Sequence, residues 1–360
     1  MNINIVRENL EKKEELLSPY ALKSFNSTRE IVEEKSSVRT EFQRDRDRII
    51  HCNSFRRLKH KSQVFVAPQG DHFTTRLTHV IEVSQVGRTI ARALNLNEDL
   101  VEAMCLGHDL GHTPFGHIGE SVLNKLLSDG FHHSRHSIRL ITKLEKQGKG
   151  LNLTNEVIEG IRNHSKPEGE FISFDSVRGL SLESQILRIS DALAYLAHDI
   201  LDALRSEFLL ISDFPKDIIN TLGERHSQRI STFVTDVINS SWDCTGEKVD
   251  SGIPWIRMSD KLKHIITELR NFMFEKFYHP ISSSVEGKRS AEIVEILFSY
   301  YFENPDLIPK WLKDVSKNNE RAAADMVCGM TDNYALQLSL IHISEPTRRT
   351  PISYAVFCLK

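Results

Sequence analysis

The chain has 360 residues, of which 40% are hydrophobic and 26% charged. It can bury a large core, in one large domain or two, and it is not a disordered chain. A formal net charge of −3 supplies no global basic field of the kind a dedicated nucleic-acid-binding protein carries.

The N-terminus, MNINIVRENLEKKEELL, is amphipathic and lacks the apolar core of a signal peptide. No run approaches the roughly eighteen apolar residues of a membrane span. The five cysteines (Cys52, Cys105, Cys244, Cys328, Cys358) show no CxxC pairing and read as reduced thiols. A cytoplasmic protein with no membrane partner is expected.

In chain order, Glu8–Phe25 reads as a helix with a loop after it. Thr40–Lys61 reads as a second helix, with apolar Phe42, Ile49, Ile50, Phe55 and Leu58 between arginines. Its Arg39–Lys61 span holds eight Lys or Arg against three acids. That excess suits an anionic ligand and leaves weak nucleic-acid binding open, although an ion-paired, solvated face is the better reading for most of these residues. Val64–Gly70 is extended or turning. Helices follow at about Thr74–Leu94, Glu98–Leu106, Ile118–Leu127, Ser134–Lys146, Asn155–His164 and Ser181–Leu204. Further helices are expected near Asp217–Leu222, Ser227–Asn239, Ser259–Phe277, Lys288–Phe302, Leu307–Lys317 and Ala322–Met330. Only Val64–Val66 and Phe171–Phe174 resemble strands. The pattern predicts an all-α protein, divided as an N-terminal extension (1–38), a domain bearing the site (39–210) and a C-terminal helical region (211–338). From about Ser339 the chain reads SLIHISEPTRRTPISYAVFCLK, without a helical period. This segment, 339–360, resembles translated sequencing adapter and is expected to be foreign to the natural chain.

The densest chemistry lies in Gly107–Glu120, GHDLGHTPFGHIGE. His108, Asp109, His112, His117 and Glu120 fall within fourteen residues. The glycines and Pro114 break the helix, so a helix end, a tight bend and a new helix start are expected. A single His–Asp pair is ordinarily a buried, hydrogen-bonded histidine. Five ionisable groups at this density are costly to bury unless a metal or an anion compensates. His79, on an apolar helix, is a weak candidate ligand by itself. Asp191, Tyr195 and Asp199 recur at four-residue steps and share a helix face, either an exposed polar stripe or the wall of a site.

Taken together, His79, His108–Asp109 and Asp191 follow the order H…HD…D, which resembles the HD-domain phosphohydrolases. The segments RDRIIHCNSFRRLKHKSQVF, TRLTH, HDLGHTPFGHIGE, GFHHSRHS, ISDALAYLAHDILDAL and GMTDNYAL are similar to those of the deoxyguanosinetriphosphate triphosphohydrolase-like family of dNTPases, from about Arg39 to Leu336. The resemblance implies an HD-domain helical fold and hydrolysis of a dNTP substrate to deoxynucleoside and inorganic triphosphate. It implies a divalent metal on His79, His108, Asp109 and Asp191, with Mn, Mg, Fe, Co, Ni and Zn all compatible with that donor set. His117 and Glu120 match catalytic residues near the α-phosphate, and His112 and His133 match histidines facing the phosphates. Arg76 matches a phosphate-contacting arginine. Gln63, Tyr195 and Asp199 match residues that read the deoxyribose. FHHSRHS leaves open which of His132, His133 and His136 faces the site, and His164 either reaches the phosphates or is structural. Family members often form homo-oligomers, and in some a second dNTP is an allosteric activator. The competing readings are another HD phosphohydrolase, of the 5′-nucleotidase or guanosine tetraphosphate hydrolase type, and a non-catalytic nucleotide sensor.

Overall fold

The computed structural model describes residues 5–65, 73–165, 173–247 and 252–342. Among them there is no strand, only isolated bridges between Arg29 and Thr154 and between Ser62 and Thr75. The fold is all-α. Of the two strand candidates, Val66 and residues 171–172 lie outside the described residues, and Phe174 opens the short helix Phe174–Val177.

Helix α1 spans Ile5–Glu14. It stops short of the expected Phe25 because the buried Glu14 carboxylate turns to accept hydrogen bonds from Ser24 N and Oγ and from Asn97 Nδ2. Helix α2 spans Glu41–Ile50 and opens on a capping box between Thr40 and Gln43. The expected continuation to Lys61 is broken at Cys52, which is extended (φ −76°, ψ 158°) and accepts the Phe55 N–H on Sγ. Glu145 fixes the break from outside by accepting from Ser54 N and Oγ. The first four arginines of the basic stretch are ion-paired: Arg39 meets Asp47, Arg44 meets Glu33 and Glu41, Arg46 meets Asp47 and Glu102, and Arg48 meets Glu33. Arg29 reaches Glu41 and the fully buried Asp45.

Three helices frame the centre. They are α3 (Arg76–Ala93), α4 (Glu98–Gly107) and α8 (Leu182–Arg205), and they pack against one another. Between α4 and α8 come α5 (His117–Leu126), α6 (His133–Arg139) and α7 (Asn155–Arg162). Gly87 permits the close approach of the three framing helices. A Cβ there would lie 2.9 Å from Val101 Cγ1, 3.2 Å from Cys105 Sγ and 3.3 Å from Ser190 Oγ. The later helices are α9 (His226–Ser240), α10 (Asp260–Met273), α11 (Val285–Glu303), α12 (Asn319–Cys328) and α13 (Asp332–His342). A π-helical turn, Phe274–Tyr278, extends α10.

Two apolar cores result. The larger joins α2, α3, α4, α7 and α8 with residues as late as Phe277. The smaller joins Phe115, α5 and Phe131 to α11 and α12. The loop between α4 and α5 crosses from one to the other, with Leu110 in the first and Phe115 in the second. Cys52, Cys105, Cys244 and Cys328 are buried free thiols. Most of the segment read as foreign, 343–360, lies outside the described residues, and α13 runs to His342. No helix of the described residues is long and apolar enough to cross a membrane.

Candidate active site

Helix α3 starts on a capping box between Thr75 and Thr78, which sets Arg76 and His79 on one face of its first turn. Helix α4 ends at Gly107 and delivers His108 and Asp109 to the same point. Asp191 comes from the middle of α8. His79 Nε2 lies 3.3 Å from Asp191 Oδ1 and 3.8 Å from Asp109 Oδ2. His108 Nε2 lies 3.5 Å from Asp109 Oδ1 and 3.7 Å from Asp191 Oδ1. The four groups thus converge from three helices, and the donors of His79, His108 and Asp109 all lie within 4.8 Å of one another.

This donor set fits a divalent cation. The His108 Nδ1–H donates to Cys105 O at 2.7 Å, which turns Nε2 inward, where it is buried without a hydrogen-bond partner. Two imidazoles and two carboxylates at this spacing are hard-to-borderline donors for a first-row transition metal or magnesium. His79 is oriented in the same way, by a residue that sequence reasoning passed over. Its Nδ1 lies 2.9 Å from His198 Nε2, and His198 Nδ1 lies 2.7 Å from Asp199 Oδ1. Such outer partners hold the ligand ring in one orientation. Burial lowers the His198 imidazole, but Asp199 outweighs it and raises the pKa. At Asp109 burial opposes ionisation, while His112, His108 and Arg76 hold the carboxyl well below the usual range.

Beside this cluster stands a second one. Gly116 (φ 57°, ψ −127°) takes a conformation open to glycine, and its ideal Cβ would lie 2.6 Å from the Arg76 guanidinium. The turn leads directly into His117, the first residue of α5, whose side chain is 60% exposed. His117 Nδ1 lies 2.9 Å from Glu120 Oε2. The other Glu120 oxygen lies 2.8 Å from His133 Nδ1 and accepts the His133 N–H at 2.7 Å. Burial raises the Glu120 carboxyl, but His117 and His133 outweigh it and leave it strongly depressed. His112 stacks on His133 with ring centroids 4.1 Å apart and meets Asp109 Oδ1 at 3.2 Å, so it joins the two clusters. His133 Nε2 lies 3.2 Å from His164 Nε2.

The remaining candidates sort by position. In FHHSRHS, His133 faces the site, His132 caps α6 through the Ser134 N–H, and His136 lies 3.7 Å from Asp325 behind it. Buried Arg76 donates to Asp109 at 2.7 Å and keeps Nε and one terminal nitrogen without partners. Gln63 is buried with its carbonyl oxygen unpartnered. Tyr195, four residues beyond Asp191, packs on Tyr278 with ring centroids 5.5 Å apart, and Tyr278 donates to Asp199 at 2.7 Å. Burial and the Asp199 charge push both phenols well up. Tyr278 carried no periodic or motif signal.

The HD domain family matches residues 76–196 and the phosphohydrolase-associated domain family matches 256–339. A deoxyguanosinetriphosphate triphosphohydrolase-like protein of Caldanaerobacter subterraneus subsp. tengcongensis is 51% identical, covering 93% of this chain and 94% of its own length. The chain belongs to the deoxyguanosinetriphosphate triphosphohydrolase-like family. Proteins of the same name from Clostridium tetani and Bartonella tribocorum are 45% and 39% identical, covering 92% and 85% of this chain and 93% and 90% of their own lengths. The chain is therefore an HD-domain hydrolase, and this member of the family carries its His and Asp cluster inside the matched HD domain.

Proposed function

We propose that this chain is a metal-dependent dNTP triphosphohydrolase, converting a dNTP and water to a deoxynucleoside and inorganic triphosphate. The observation that carries this reading is the adjacency of two built clusters: His79, His108, Asp109 and Asp191 as a cation site, and an exposed His117 held by Glu120 beside it. When bound, the divalent metal supplies charge neutralisation for the triphosphate and polarises the α-phosphoryl group.

The protein's own residues do the rest. Buried Arg76, with two partnerless nitrogens, offers donors to phosphate oxygens. His112 and His133 line the same side. Water attacks the α-phosphorus and releases its proton to solvent, the bond to the 5′-oxygen breaks, the 5′-oxygen takes its proton from His117 Nε2, and solvent reprotonates the exposed His117. Glu120 holds the opposite nitrogen and stabilises the imidazolium. The Tyr195 ring against the sugar leaves no space for a 2′-hydroxyl, while Gln63 and Asp199 address the 3′ side. The same reading assembles the enzyme as a homo-oligomer drawing on the cytoplasmic nucleotide pool, with a second dNTP as activator. A sigmoidal rate curve together with light scattering tests that part.

Product analysis tests the reaction. The purified protein is incubated with Mn²⁺ and each dNTP, with GTP as ribo control, and products are separated by anion exchange. Deoxynucleoside with intact triphosphate is expected. Monophosphate with pyrophosphate, or diphosphate with phosphate, would assign a different HD-phosphohydrolase chemistry.

A further inference from the structure

The turn that presents His117 is strained. Phe115 has φ +60°, an outlier for a bulky residue, and Gly116 follows at +57°. Backbone in such regions persists only where its surroundings over-determine it. Here the surroundings come from the far end of the chain. The Asp332 side chain, buried at the start of α13, accepts the Phe115 N–H on Oδ1 at 3.0 Å and the Ser62 N–H on Oδ2 at 2.8 Å. One carboxylate thus ties the residue before Gln63 to the strained turn before His117. A second tie lies alongside. Lys61, buried, donates through Nζ to His112 O and to Cys328 O. Three backbone stretches, 61–63, 112–116 and 328–332, are cross-linked by two buried ionisable side chains. Neither side chain is exposed at the reaction centre, and neither is needed to complete a helix.

We propose that Asp332, backed by Lys61, is a positioning residue that holds the 115–116 turn and so sets where the His117 imidazole stands. The C-terminal helical region is then part of the catalytic apparatus through the backbone it clamps. The functional half of this proposal rests on His117 being the acid/base group, as proposed above; the geometric half does not.

The test uses the whole chain with histidine selectively ¹³C-labelled and Mg²⁺ bound. Asp332→Asn keeps the volume and one acceptor oxygen but replaces the other with a donor facing an N–H. The His117 ring resonance should move, while the His79 and His108 resonances and the bound metal stay as in the parent. Turnover should fall about a hundredfold, the scale of an ångström-sized misplacement of a catalytic group. In a His117→Ala background the same substitution should cost less than about twofold, because it has no imidazole left to misplace. An unmoved His117 resonance overturns the clasp. Equal losses of turnover in both backgrounds make Asp332 merely structural and overturn the proposal as well. If His117→Ala itself keeps full turnover, the acid/base reading fails, while a moved resonance still upholds the clasp. Should Asp332→Asn not fold, Lys61→Met severs the second tie in a near-isosteric side chain and is read by the same resonance and the same cycle.

Discussion

Gly111 sits between the His108–Asp109 pair and His112, with α6 immediately behind it. An alanine methyl there would lie 2.2 Å from Ser137 N, 2.6 Å from His133 O and 2.7 Å from the His136 carbonyl carbon. All three are backbone atoms, so no rotamer change relieves the overlap. Ordinary contact needs about 3.5 Å, so α6 has to retreat by about 1 Å. That retreat stretches two hydrogen bonds, Gly111 N–H to Ser137 Oγ at 2.9 Å and Ser137 Oγ–H to His108 O at 2.7 Å. Overpacking costs about 1–3 kcal/mol and each weakened bond about 1 kcal/mol, which sums to about 4 kcal/mol. For a chain of 360 residues that is a fall in Tm of about 5 °C. The retreat also draws His133 from Glu120 and His112, and turnover should fall about a hundredfold. Thermal denaturation and steady-state turnover of metal-saturated Gly111→Ala read both effects. A Tm and a turnover equal to the parent's would refute the reasoning, because they would mean that α6 is not packed on this turn.

Other consequences are as definite. His198→Leu removes the partner of His79 Nδ1 and should weaken metal affinity about 10- to 100-fold in chelator competition; unchanged affinity would deny His198 an orienting role. Arg29→Met strands the fully buried Asp45 carboxylate with only Thr154 as partner, and urea unfolding should show a loss of about 3–5 kcal/mol. A loss below about 1 kcal/mol would contradict that, being the scale of an exposed ion pair. Burial, opposed by Asp325, lowers the His136 imidazole from its ordinary 6.5 to about 4. Between those values the unfolded chain binds the extra proton, so stability is full above pH 6.5 and is lost as pH falls. Going from pH 7 to pH 5 should cost about 2 kcal/mol through this residue. His136→Leu should flatten that part of the pH–stability curve, and an unchanged slope would assign the effect elsewhere.

Much of this protein could be read from its sequence. Apolar residues at helical spacing placed α3, α4 and α8 to within a residue or two, because each helix buries one face and its caps are local. Repeated breaks by Gly107, Gly111 and Gly116 around His108, Asp109 and His117 marked the bend, since glycine and proline act on the backbone where they stand. Interruptions imposed from a distance were not legible. Thr40–Lys61 has an unbroken helical pattern, yet it breaks at Cys52 because Glu145, far along the chain, takes the Ser54 backbone. The basic run reads as mostly ion-paired, but which acids from outside it take part, Glu33 on Arg44 and Arg48 and Glu102 on Arg46, is decided by packing.

The site divides along the same line. Sequence alone determined which residue types were available to it: His79, the HD pair, Asp191, and the His117 and Glu120 spacing that lets an imidazole and a carboxylate meet across one helical turn. Tertiary structure alone decided which of His132, His133 and His136 faces that carboxylate. It also brought His198 behind His79, Tyr278 against Asp199, and Asp332 under a turn more than two hundred residues earlier. Local spacing sets which side chains share a face, but contacts across the chain depend on how helices pack, and packing is settled by two whole cores rather than by any one segment.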